Sequence, residues 1–127
     1  MAELLRVWLD DDLDERPAPD GWTHVTTAWE AIELLGTGRV VELSLDHDLG
    51  DDEQFGTGHH VVTYLCEQQI AYNRILWPRD GLQLHTANAR ERDMMALTIE
   101  RNAGQVLHVR RGLTRGGKPV FFFTPRS

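Results

Sequence analysis

Three stretches of this 127-residue sequence place chemistry-bearing side chains directly after apolar runs: Asp10-Asp11, Asp46-His47-Asp48 and His85-Thr86. Clustered carboxylates repel one another, and their recurrence is best explained by a hard cation such as Mg²⁺, which takes oxygen ligands and bridges to phosphate. Asp10 to Asp12 alone would read as a solvated acidic turn, and the recurrence at Asp46 and Asp48 argues against that. Asp12 and Asp14 are read as solvated. His47 lies between two carboxylates, which favour its protonated form, a state suited to acid or base work. His85 makes a second such group in the same region. Asn88, with Arg90 and Arg92 after it, begins a helix whose free N–H groups form a natural anion site, although Asn88 is equally read as a simple cap. His59 and His60 are read as rim residues, and no compact ligand spacing supports a zinc site.

These groups depend on elements that bring distant parts of the chain together. Leu4 to Leu9 and Val40 to Leu45 read as buried strands ending in acid, and Leu82 to Leu84 as a third strand ending at His85. Arg16 to Gly21 is turn-rich, and Thr23 to Thr26 a short strand. Thr27 and Glu30 have capping-box spacing and open a helix that Gly36 ends. Asp51 to Gly58 reads as a loop, and Thr57 caps a helix running to about Asn73 through Val61, Val62, Leu65 and Ile70. Asn88 and Glu91 open the next helix, whose buried stripe is read as Met94, Met95 and Ile99, up to Gly104. Val106 to Val109 and Val120 to Phe123 are strands around a turn at Gly112 to Pro119, forming a C-terminal hairpin within residues 106–124. Alternating strand and helix imply one α/β domain over residues 1–127 with a mainly parallel sheet, whose ligands sit outside the carboxyl ends of the strands.

Composition narrows the function classes. A net charge of −7 argues against general affinity for DNA or for a membrane surface. Residues 1–63 carry three Arg and fifteen Asp or Glu, whereas residues 64–127 carry ten Lys or Arg and five acids. A cation site from the first half facing an anion site from the second fits that split, as do two differently solvated faces. The single cysteine, Cys66, excludes an internal disulfide and reads as part of a buried helix face. Acidic residues soon after the N-terminus leave no room for a signal-peptide core, and no apolar run is long enough for a membrane helix, so a cytoplasmic location is expected.

Val7-Trp8-Leu9-Asp10-Asp11, Arg16-Pro17, Gly21-Trp22, Ser44-Leu45-Asp46-His47-Asp48-Leu49-Gly50, Gly56-Thr57-Gly58 and His85-Thr86-Ala87-Asn88 with Arg92 and Met94 resemble the cyclic-phosphate processing receiver domain family over residues 4–100. The resemblance implies a receiver-like (flavodoxin-like) three-layer sandwich and action on cyclic phosphates of nucleotides or RNA ends. By the same resemblance Asp10, Asp11 and Asp46 match the acidic pocket of receivers, and His47, Asp48, His85 and Asn88 the positions that distinguish the family. Thr86 stands where Ser is expected, and Asp12-Leu13-Asp14-Glu15 lengthens the loop after the first strand. Lys118-Pro119 is not assigned the role of the receiver Lys-Pro.

The reading that follows is a metal-assisted phosphoesterase. Asp10, Asp11 and Asp46 would hold Mg²⁺ or Mn²⁺, and His47, His85 and Asp48 would do the proton chemistry. Thr86, Asn88 and Arg92 would hold the phosphate. The alternative is a non-hydrolytic signalling module that accepts phosphate on Asp46, with Thr86 as its switch, or senses a nucleotide. A third reading, a pure interaction domain, predicts an exposed apolar patch.

Overall fold

Register decides this architecture. A computed structural model of the chain describes residues 3–10, 20–45, 57–84, 89–113 and 119–126. Its strands are β1 (Leu5–Leu9), β2 (Thr23–Val25), β3 (Val40–Leu45), β4 (Leu82–Leu84), β5 (Leu107–Leu113) and β6 (Pro119–Pro125). Its helices are α1 (Ala28–Leu35), α2 (Gly58–Tyr72) and α3 (Ala89–Ala103). The strands form one sheet in the order β2-β1-β3-β4-β6-β5. The pairings β1 with β2, β1 with β3 and β3 with β4 are parallel, whereas β6 runs antiparallel to both β4 and β5. The sheet is therefore mixed, with a parallel half that carries the expected acidic strand ends and an antiparallel half made by the hairpin.

Alternation along each strand shows where the core lies. Val7 and Leu9, Leu43 and Leu45, Leu82 and Leu84, Leu107 and Phe123 are buried in one cluster with Ala28, Ala31, Val61, Val62, Leu65, Met95 and Ile99 from all three helices. Each of the larger of these side chains contributes roughly 1.5–3 kcal/mol by leaving water. Among the described residues, α1, α2 and α3 all pack on one face, which gives two of the three layers expected. The reason is topological. From β2 the chain passes through α1 to β3, through α2 to β4 and through α3 to β5, always moving the same way across the sheet. Right-handed crossovers that all move one way leave their helices on one side.

The helix starts follow local chemistry. The Thr27 hydroxyl accepts from the backbone N–H of Glu30 at 3.1 Å, as the capping-box spacing predicts. Thr57 caps α2, and the third helical residue completing its box is His60, whose Nδ1 accepts the Thr57 N–H at 2.9 Å. Asn73 ends α2 at φ 51°, a left-handed position that Asn tolerates.

Some expectations on individual side chains are overturned. In α3 the buried positions are Arg92, Met95, Ala96, Ile99 and Ala103, and Met94 is 47% exposed. Ile70 is exposed as well, because the inward position at that turn belongs to Gln69, which accepts the buried Trp77 indole N–H at 2.5 Å. The final hairpin is longer than expected: β5 reaches Leu113, so Gly112 pairs with Val120 instead of opening the turn. Exposed β5 residues carry no apolar alternation to announce the strand. No helix among the described residues is long and apolar enough to cross a membrane.

Candidate functional site

Leu9 is in register with Val25 on one side and with Leu45 on the other, and Leu45 is in register with Leu84. The four parallel strands therefore reach their carboxyl ends together. The chain leaves β1 toward β2 and leaves β3 in the opposite direction toward β4, so the β1–β3 boundary is the switch point where α/β sheets open a crevice.

Asp10 stands at that boundary and is fully buried. Its backbone N–H donates to the Val25 carbonyl at 3.1 Å, continuing the ladder one residue beyond β1. Its carbonyl accepts from His24 Nε2 at 2.6 Å, which requires the ring proton on Nε2. The backbone carrying this carboxylate is thus pinned from β2 on both sides of the peptide. A carboxylate buried this deeply costs several kcal/mol unless its charge is compensated. His24 was missed in the sequence, since a histidine in a three-residue strand has no signature there.

Arg92 is buried in the first turn of α3. Its guanidinium lies 5.8 Å from the centre of the Phe121 ring, and its Nε is 3.5 Å from an Asp93 carboxylate oxygen. Phe121 pairs with Leu84, so this cation stands over the carboxyl end of β4. A second cation missed in the sequence, Arg111 of β5, approaches the same ring at 5.5 Å. Arg90 is exposed. Asp11, Asp46, His47, Asp48, His85, Thr86 and Asn88 lie outside the described residues, as do Asp12, Asp14 and Lys118. Among the described residues no group of three His, Cys, Asp or Glu could hold a metal ion.

His59 and His60 have structural contacts. His60 closes the cap of α2 and packs against Trp29 at 5.2 Å, and His59 Nε2 is 3.1 Å from the Thr98 hydroxyl, tying α2 to α3. Cys66 is buried, and desolvation raises its thiol from 9.0 to about 11, so it stays a protonated packing group.

A model of the cyclic-phosphate processing receiver domain matches residues 5–101, the span from β1 into the last turn of α3. The chain belongs to that family. The β5–β6 hairpin lies beyond the matched residues, so Arg111 and the whole antiparallel half of the sheet stand outside what the match covers. No curated protein and no solved structure matches the chain.

Proposed function

We propose that this receiver domain is a metal-assisted phosphoesterase that opens cyclic phosphates on nucleotides or RNA ends in the cytoplasm. The observation that carries the reading is the flush ending of β1, β3 and β4, with Asp10 buried at the switch point and Arg92 at the start of the helix that follows β4. In the sequence Asp11 follows Asp10, Asp46-His47-Asp48 follows Leu45, and His85 to Asn88 follow Leu84. Family membership supports a role in cyclic-phosphate processing.

Asp10 fits a hard cation: a buried carboxylate on a pinned backbone loses little freedom on coordination. With Asp11 and Asp46 it would give an all-oxygen donor set, which suits Mg²⁺ or Mn²⁺. Such an ion would neutralise charge on the phosphate. His47, with Asp48 beside it, and His85 would share the proton chemistry. Water adds to phosphorus as one histidine takes its proton, the bond from phosphorus to one ribose oxygen breaks, and the other histidine protonates that oxygen to leave a monoester. Thr86, Asn88 and Arg92 would hold the phosphate, helped by the dipole of α3.

The test is incubation of the purified protein, with and without Mg²⁺ or Mn²⁺, against 2′,3′- and 3′,5′-cyclic nucleotides and an RNA bearing a terminal cyclic phosphate. Metal-dependent opening is expected, falling by about 10²-fold or more in His47→Ala and in His85→Ala. Unchanged turnover in both variants overturns the assignment. Labelling of Asp46 by a chemical phosphodonor, with no opening of any cyclic substrate, would establish a signalling module instead.

A further inference from the structure

The sheet face opposite the helices holds a cavity of about 440 Å³, the size of a small-molecule site. Trp22, Glu42, Gln83, His108, Arg110 and Phe122 line it. Gln83, Phe122 and Arg110 stand in one cross-strand row over β4, β6 and β5, because Gln83 pairs with Phe122 and Phe122 with Arg110. Asp80 and Gly81, which precede β4, close the groove at the end opposite the carboxyl edge where Asp10 lies. Gly81 sits at φ +126°, and a Cβ there would meet Thr124 of the groove wall at 3.4 Å.

The charges around the cavity are already matched. Glu42 faces Arg6 at 3.4 Å, Asp80 faces Arg79 at 3.3 Å, and the Arg110 guanidinium lies 5.0 Å from the Phe122 ring centre. Both carboxylates are held by arginines outside the lining. Arg110, already seated on the Phe122 ring, is the one guanidinium that lines the groove, and among the described residues no second Arg or Lys lines it to clamp a phosphate, so the lining suits a neutral ligand. Trp22 and Phe122 offer aromatic surface. The half-buried Gln83 carboxamide lines the groove between strands and sets an N–H donor beside a carbonyl acceptor. A planar neutral ring with its own donor–acceptor edge satisfies all of these groups. Adenine has that edge, and glutamine reads it with two hydrogen bonds.

We propose that this groove binds an adenine base, stacked on its aromatic lining and held at its edge by Gln83. The base can belong to a free nucleoside or nucleotide or to a single RNA strand, whose bases stack on sheet aromatics in the same way. This site stands apart from the carboxyl-edge chemistry, and neither proposal depends on the other. Because the lining is neutral toward phosphate, adenosine and AMP should bind alike.

The experiment is an NMR titration of the full chain with adenosine, AMP, guanosine and a short oligoadenylate, following the four tryptophan indole N–H signals. The Trp22 signal should move with adenosine, while those of Trp29 on α1 and of the buried Trp77 stay in place. Adenosine and AMP should agree within about threefold, with little change between about 50 and 200 mM salt, unlike a phosphate-driven contact. Gln83→Ala should weaken adenosine by about tenfold with the Trp77 signal unchanged, which shows that the variant is folded. Tighter binding of oligoadenylate than of AMP identifies a strand as the source, and equal binding a free nucleotide; both uphold the groove as a base site. No movement of Trp22 at millimolar adenosine, AMP binding without adenosine binding, or an unaffected Gln83→Ala variant overturns the proposal. Loss of cyclic-phosphate turnover in the His85→Ala variant would leave adenosine binding untouched, so the two proposals fail separately.

Discussion

Asp10 shows how local bonding fixes a residue in advance of the role proposed for it. Its main chain extends the β1–β2 ladder and accepts His24, so the carboxylate is held in one place before any ligand arrives. Asp10→Asn keeps that backbone bonding and removes the charge. Metal-dependent turnover should therefore fall by about 10²-fold while thermal unfolding shows a folded protein, a combination read from parallel activity and melting measurements. Cys66 makes the opposite case. Burial raises its thiol to about 11, above its ordinary value of 9.0, so the folded state retains a proton that the unfolded chain gives up first. The stability this contributes is complete below pH 9.0 and is lost as the pH climbs toward about 11. Thiol labelling at pH 8 should be slow in the native protein and complete in denaturant; rapid native labelling would contradict the buried, protonated thiol.

At the scale of the element, caps and phase matter more than composition. α2 begins on Thr57, whose hydroxyl accepts the His60 N–H while His60 Nδ1 accepts the Thr57 N–H. Thr57→Ala breaks one half of this exchange and should cost about 1 kcal/mol in chemical denaturation, with His60→Ala costing a comparable amount. An unchanged unfolding midpoint in both would show that the cap is incidental. Helix α3 illustrates phase. Its inward row is Arg92, Met95, Ala96, Ile99 and Ala103, and the first position of that row is a cation. A stripe sought among apolar residues starts instead at Met94, one residue and about 100° away from Met95. The buried Arg92 and the misplaced Met94 are thus two sides of one pattern.

On the scale of the whole molecule, one face of the sheet bears the helices and the common core, and the other bears Trp8, Trp22, Gln83 and Phe122. Stability should follow the first face. Leu43→Ala and Leu84→Ala, each truncating a fully buried side chain, should cost about 2–5 kcal/mol, whereas Gln83→Ala on the second face should stay within about 0.5 kcal/mol in the same denaturant titrations. Equal losses on both faces would contradict a core confined to one side. The hairpin completes this division: β6 enters beside β4 and carries Phe123 into the core while Phe122 turns to the groove.

The sequence by itself determined the element types and the strand ends after which its acidic and histidine residues follow, because these rest on short-range facts. Apolar runs of strand length ended at Asp10, Asp46 and His85, capping spacing marked Thr27 and Thr57, and the family motifs lay in the same stretches. Which strands lie side by side, and on which face each helix rests, were decided only by tertiary structure. Crossover direction is a property of the assembled sheet, and no local pattern records it. The same holds for His24 on Asp10, for the two arginines flanking Phe121, and for the row of Gln83, Phe122 and Arg110. These residues are distant in the chain, and only pairing across strands and the packing of α3 on the sheet bring their side chains within reach of one another.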